Sequence, residues 1–567
     1  MVATAYGKTF DIPRPGAWEL DLTHFPRPAT RYVGEIFIDN FIRGFGDGTR
    51  HYGLLLSHID YYMLHGFMYG APRPVGAPES AKGPPPKAIF KLLTWLHPEM
   101  RSRIGTSKKA LDERRWISDL RYWDEEVKPQ AVREHLAVQK VDPAALDDEA
   151  LLRHLAAARE NAKNGVYRHG RFTMTACLPV GDYLAHAREW TGEEVHSLLA
   201  PVKGYSTVSN GVANAELSRL AALLRDNADA RASLRSSNPA QALRALAALP
   251  GALGEAARAW LEQVSYRIVT GYDVCDRYGL EMPDTLVATL LAAVEGASRV
   301  DDASAVERTT AQLRDKVPAA QRAQFDQLLA DARTVYRLRD ERDHYNDGWS
   351  TGLMRRALLE AGRRLADAGK IDSPEQAVET TQEELLALLG GSGGPSSEEL
   401  KSRADWRRTA DPGQVPMNLG FQPSPPPPPE WLPAHAARLA RGIDIFLAGL
   451  FQPSTKESTA AIVKGIPVSP GVYEGPARIV NESEDFDRVA QGDVLVARST
   501  SPYFNVLLPL LGAIVTDRGG ALSHAAIVAR EYGIPGVVGT KTATTTIRNG
   551  QRLRVDGAAG EVHVLGD

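Results

Sequence analysis

The stretch VTDRGGALSHAAIVAREYGIPGVVGT, residues 515–540, decides how the C-terminal part of this chain folds. AIVTD (513–517) reads as a buried strand, and Gly519 and Gly520 end it. Ser523 stands where a helix is capped, and SHAAIVAREYG follows as an amphipathic helix with His524 in its first turn. Free backbone N–H groups and the positive end of the helix dipole make such a terminus an anion site. A phosphoryl group on a ring nitrogen would be held there, and a dipole that disfavours imidazolium keeps the ring neutral and nucleophilic. The two glycines let the backbone approach a phosphate with no Cβ in the way. Arg518 and Arg530 are candidate phosphate partners, the alternative for Arg530 being a solvated helix face. On physics alone, a histidine at a helix start caps helices and fills cores more often than it accepts phosphate, so the reading requires a ring that an anion can reach. Other chemistries have less support: the chain has no zinc-ligand spacing, no GxSxG elbow and no Walker-type loop.

Outward from this stretch, KGIPVSPGVYEGPARIV (464–480), DVLVARST (493–500) and QRLRVDGAAGEVHVL (551–565) are short β-rich runs punctuated by Gly and Pro. Residues 456–567 therefore read as a small domain of strands with few helices, and residues 1–455 as a larger, mainly helical domain. Within it, residues 130–390 are rich in Ala and Leu. ALDDEALLRHLAAARENA (145–162) places Leu151, Leu152 and Leu155 on one stripe, and Ser396 with Glu399 fits a helix N-terminus. Residues 1–100 read as irregular and aromatic-rich, with a predicted helix over HYGLLLSHIDYYMLHGFMYG (51–70) that sets His58 and His65 on one face. The Pro-rich segment 411–433, with five consecutive prolines (425–429), is either a stiff spacer or a strap across the helical domain.

The 567 residues are too many for one core. A net charge of −4 argues against a nucleic-acid binder. Mean hydropathy is −0.27, and no long apolar run predicts a membrane span. With no secretory signal and only Cys177 and Cys275, a reduced, cytoplasmic protein is expected.

The 515–540 stretch closely resembles the signature of the phosphohistidine swivelling domain of the PEP-utilising enzymes. Phosphoenolpyruvate synthase, pyruvate phosphate dikinase, rifampicin phosphotransferase and phenylphosphate synthase share that domain. The flanks agree: GDVLVARSTSPYF (492–504) and IRNGQRLRVDGAAGEV (547–562), with the likeness covering about residues 460–565. The resemblance implies a small β/β/α swivelling domain in which His524 is phosphorylated and carries the group between two remote sites. It also implies that Thr516, Arg518, Gly519, Gly520 and Ser523 shape the phosphohistidine loop; Leu522 stands where many relatives have Thr. WELDLTHFPRPATRY (18–32), LLAPVKGYSTVSNGVANAELSRLA (198–221) and YRLRDERDHYND (336–347) are similar, more weakly, to the helical substrate domain of rifampicin phosphotransferase and its relatives. No ATP-grasp phosphate loop and no C-terminal phosphoenolpyruvate barrel is found. The resemblance thus implies either a separate ATP-grasp subunit that charges His524 from ATP with Mg2+, or a loss of nucleotide dependence.

For the acceptor, Tyr61, Tyr62, His65, Phe67, Met68 and Tyr69 either line an apolar pocket or form an ordinary core. Arg337, Arg339 and Arg342 either neutralise phosphate or pair with Asp340, Glu341 and Asp343. His58, His169 and His344 are candidate general bases. Asp273 and Arg277 lie in GYDVCDRYGLEMP (271–283), which looks like the family's turn at the pocket without its usual Trp–Glu ending. No metal site is read. The expected function is the phosphohistidine-bearing, acceptor-binding component of a phosphotransferase, acting on the hydroxyl or carbonyl oxygen of a small, largely apolar organic molecule. The alternatives are a dehydratase or ATP-dependent condensation through a phosphorylated intermediate, and a non-catalytic ligand-binding or regulatory protein.

Overall fold

The computed structural model describes all residues except 1–2, 13, 23–24, 207–213, 236–237, 270, 296–302, 423, 452–456, 481–482, 501–503, 506 and 567. His24 and most of the Gly/Ser-containing stretch after Gly204 lie outside the described residues. The protein is multidomain, with a large, mainly helical region and a C-terminal sheet. By internal contacts the chain divides into two units. Unit 1 comprises residues 1–175, 272–275 and 345–441; unit 2 comprises residues 176–271, 276–344 and 442–567.

Unit 1 is built on the helices Arg31–Tyr52, Asp148–Arg171 and Gly348–Asp367. Thr30 caps the first by accepting from Val33 N, and Gly53 at φ +73° ends it. Gly44 is required where the first two helices touch, since a Cβ there would sit 2.2 Å from the carbonyl oxygen of Tyr167. In Asp148–Arg171, Leu151 and Leu155 are buried but Leu152 is 39% exposed, because adjacent helical positions are about 100° apart. Ser396 caps the helix Ser397–Thr409, as its spacing to Glu399 predicts.

The first hundred residues are not irregular. After the helix ends at Tyr52, the segment predicted as a helix over 51–70 forms a hairpin, Leu56–Leu64 paired with Phe67–Pro74. It belongs to a four-stranded antiparallel sheet with Ala17–Leu20 and Asn418–Gly420. His65 and Gly66 form the turn, both with positive φ (+53° and +87°), which matches the right-handed twist of the strands. Aromatic and branched side chains fit the pleated, half-buried surface better than a helix face. His58 and His65 consequently do not share a helical stripe. The Pro-rich segment runs from the strand Asn418–Gly420, paired with Ala17–Glu19, to Trp431, whose ring lies 5.9 Å from that of Phe90. It is tethered at both ends, as a strap is.

Unit 2 contains a helical bundle and the C-terminal sheet. Leu220, Leu224, Leu243, Trp260, Leu286 and Leu290 fill the bundle core. The sheet has eight strands, ordered Ile462–Lys464, Glu561–Gly566, Arg552–Asp556, Val472–Val480, Asp493–Ala497, Leu511–Thr516, Gly536–Val538 and Ile466–Ser469. Its four central strands, Val472–Val480 to Gly536–Val538, run parallel. Asp493–Ala497 is buried on both faces, as parallel strands usually are. Leu495 and Ile514 pack with Ala525 and Val528 of the histidine helix, and Val494, Val496, Ala513 and Val515 pack on the opposite face with Leu553 and Val562.

Candidate active site

Two adjacent parallel strands, Asp493–Ala497 and Leu511–Thr516, end at one edge of the sheet, with Ala497 in register with Thr516. The carboxyl ends of parallel strands are where such folds gather their ligands. One strand leads into Thr500, the other into Gly519, Gly520 and the helix His524–Tyr532. Gly519 has φ +101°, and a Cβ there would lie 2.6 Å from Cβ of Ser523, so the turn demands glycine. Ser523 accepts from Ala526 N, the cap its position predicts. Thr516 Oγ1 donates to the carbonyl oxygen of Arg518 (2.9 Å), whose own N–H donates to that of Arg498 (2.9 Å). Asp517 accepts from Thr540 Oγ1 (3.1 Å) and Thr544 N (3.2 Å), tying the loop to the segment that follows the strand Gly536–Val538.

The His524 ring lies between two polar side chains. Thr500 Oγ1 is 2.9 Å from Nδ1, and Asn505 Oδ1 is 2.9 Å from Nε2. With the Asn505 oxygen as acceptor, Nε2–H donates to it and the Thr500 hydroxyl donates to Nδ1. The residue is only 7% exposed. The ring is thus covered in this conformation, and a phosphoryl group reaches it only after one of these partners withdraws. Burial, and then the charge of Arg339, hold its pKa down to about 3, so the imidazole is neutral at physiological pH.

The arginines read from YRLRDERDHYND take separate places. Arg339 is half-buried, donates from Nη1 to the carbonyl oxygen of Leu522, and lies against the Phe446 ring. Arg337 pairs with Glu341 at 2.7 Å, the ion-pair alternative. Arg530 is 6% exposed and contacts the carbonyl oxygen of Val468 at 3.5 Å, so the solvated-face reading is overturned. Next to it, Glu531 accepts from Gly204 N at 2.9 Å. His344 is half-buried, and Arg267 donates to its Nδ1 (3.3 Å); desolvation and that charge hold its pKa well below the usual imidazole value. Thr500, Asn505, Asp517 and Thr540 were missed in the sequence. Only Thr500 carries a signal there, as the polar end of the strand beside the glycine loop.

Residues 489–560 match the family described as PEP-utilising enzyme, mobile domain, and residues 173–340 match the rifampicin phosphotransferase fourth domain. The chain carries the mobile domain of the PEP-utilising enzymes. His524 and its loop lie inside that mobile domain, and Arg339 inside the second match. Over 320 residues the chain is 30% identical to an "Uncharacterized phosphotransferase YvkC" of Bacillus subtilis (strain 168), covering 54% of this chain and 36% of that protein. It is 28% identical over 393 residues to a rifampicin phosphotransferase of Streptomyces sviceus, covering 66% of this chain and 42% of that one. The mobile-domain region is 44% identical over 106 residues to a rifampicin phosphotransferase of Bacillus cereus, which is 19% of this chain and 12% of the relative. The chain thus spans less than half the length of each of these curated relatives.

In unit 1, the acceptor candidates do not converge on one point. Tyr61 is buried, its hydroxyl donates to Asp21 (3.3 Å), and its ring meets Phe41 at 5.6 Å. His169 reaches the same Phe41 ring at 6.2 Å, and its Nδ1 pairs with the carboxylate of Asp347. Asp273 accepts from the backbone N–H and the hydroxyl of Thr30, both at 2.6 Å, and so anchors the start of a helix. His65 is exposed at its hairpin turn, with Nε2 2.8 Å from the carbonyl oxygen of Thr9. His58 pairs with Asp60 at 3.2 Å.

Proposed function

We propose that this chain is the phosphohistidine-carrying, acceptor-binding component of a phosphotransferase, with His524 as the carrier. The observation that supports it most is a neutral imidazole in the first helical turn, behind a glycine loop that excludes side chains, within the mobile-domain match. A neutral ring keeps the lone pair that attacks phosphorus, and the helix N-terminus favours the negative charge it then bears. Arg339, close enough to depress the ring's pKa, becomes an attractive partner once the ring carries a phosphoryl group. Charging requires Thr500 or Asn505 to let the ring go, a step that suits a carrier visiting different sites.

The donor in this reading is ATP bound with Mg2+ on a separate ATP-grasp subunit, and no residue of either unit is assigned to the nucleotide or the metal. The acceptor is the oxygen of a small, largely apolar organic molecule. We place the protein in the cytoplasm, where ATP is at hand and where a chain whose Cys177 and Cys275 form no disulfide is at home. No described helix is long and apolar enough to cross a membrane. Incubation with such a subunit and with β- or γ-labelled ATP should leave acid-labile label on the chain. Label that persists in His524→Ala would overturn the assignment.

A further inference from the structure

The helix Lys87–Leu96 of unit 1 is apolar nearly all the way round: only Lys87, Lys91 and Thr94 of its ten residues are polar. A helix of that composition is normally buried on every side. Here Phe90 points inward, packed with Val75 and Met100 and facing the Trp431 ring. On the outer side Ile89, Leu92 and Leu96 are each at least 50% exposed, and Trp95 is 67% exposed. Positions three and four apart share a helix face, so Ile89, Leu92 and Leu96 form one apolar strip with Trp95 beside it. Positive charge accompanies the strip. Between Glu79 and Glu99 the sequence holds Lys82, Lys87 and Lys91 and no acidic residue. All three lysines are exposed, and none has an ion-pair partner among the described residues. The next helix, Pro98–Asp112, adds exposed Arg101 and Lys109, in a chain whose net charge is −4.

A continuous exposed apolar strip marks an interaction surface. Its size and charge select the occupant. Four side chains offer a few hundred Å² at most, short of the roughly 800 Å² per partner that a stable protein interface buries. Two copies meeting through the same face would also set lysine against lysine. Lysine is depleted at protein interfaces, whereas lysines beside Trp and Leu are what a helix lying in a bilayer surface carries. The ammonium groups attract anionic headgroups, their stems lie along the apolar boundary, and the indole suits headgroup level. We propose that the helix Lys87–Leu96 docks this protein peripherally on an anionic lipid surface. Ile89, Leu92, Trp95 and Leu96 enter the headgroup–acyl boundary, and Lys82, Lys87 and Lys91 stay at the headgroups. The proposal is independent of the role of His524.

Flotation of the full chain with vesicles tests it. Vesicles of phosphatidylcholine with one third phosphatidylglycerol should carry the chain, and phosphatidylcholine alone should bind it at least about 10-fold more weakly, since each lysine near an anionic surface strengthens binding about fivefold. Raising NaCl to about 1 M, where the Debye length falls to about 3 Å, should weaken the anionic binding likewise. Leu92→Ser combined with Trp95→Ser should lower partitioning at least about 10-fold, through the loss of two large apolar anchors. Lys87→Gln combined with Lys91→Gln should lower it at least about 10-fold on anionic vesicles and leave neutral ones unchanged. All four positions are exposed, so circular dichroism melts of the variants should match wild type. No binding by the wild-type chain, equal binding to neutral and anionic vesicles, or wild-type partitioning in either double variant overturns the proposal. So does a lipid-free dimer, read by analytical ultracentrifugation, that Leu92→Ser with Trp95→Ser dissolves, because it would give the face to a second copy.

Discussion

At the scale of the residue, the chemistry turns on why His524 is neutral. An imidazole in water titrates near pH 6.5. Burial and the Arg339 guanidinium hold this one down to about 3. Its NMR signals should therefore stay flat from pH 8 to pH 5, and a midpoint near 6.5 would mean an uncovered ring. The sign of the linkage follows. The unfolded chain binds this proton below about pH 6.5 and the folded chain only near pH 3, so the group's contribution to stability is lost as pH falls through that window. Arg339→Met removes both the charge and a charged hydrogen bond to Leu522. It should raise the His524 midpoint and lower stability by about 1.5–3 kcal/mol, read by titration and denaturant melts.

At the scale of the element, the glycine loop before His524 and the hairpin each hang on a turn. Gly519→Ala would force a side chain into a left-handed φ of +101° and against Ser523. It should cost about 1–3 kcal/mol and reduce labelling of His524, measured on the same preparation. The hairpin offers the opposite case. His65 sits at a positive φ, where Asn is well accommodated, and its ring meets Thr9 and Phe10 of the strand Lys8–Phe10. His65→Asn should leave acceptor phosphorylation unchanged in a kinetic assay; a large loss would return His65 to the substrate site.

At the scale of the whole molecule, the contacts that hold the histidine segment inside unit 2 include Arg339 on Leu522 before the histidine and Gly204 on Glu531 after it. On the carrier reading proposed above, the segment leaves such contacts to travel. The double variant Arg339→Met, Glu531→Gln should speed amide hydrogen exchange across residues 520–532 at least about 10-fold, consistent with the loss of somewhat more than 1.4 kcal/mol of local protection. Unchanged exchange would show that these contacts do not restrain the segment.

The same scales separate what could be read from residues alone. The strand, glycine loop, cap and histidine of 515–540 are local: hydrophobic patterning, a φ that only glycine tolerates and an N-cap decide them within a few residues of one another. That is why the sequence by itself determined the C-terminal strands, the glycine loop and the place of His524 at the helix start. Tertiary structure decided what surrounds the ring. Thr500 comes from the segment just past the neighbouring strand Asp493–Ala497, Asn505 from further along that segment, and Arg339 from a helix 185 positions earlier, and only strand pairing and packing bring them together. It also decided between helix and hairpin at 51–70, where bulky residues satisfy both patterns until a sheet edge at Ala17–Leu20 is there to pair with. Local spacing sets backbone conformation, but burial, and hence the charge state of an imidazole, belongs to whatever the rest of the chain packs against it.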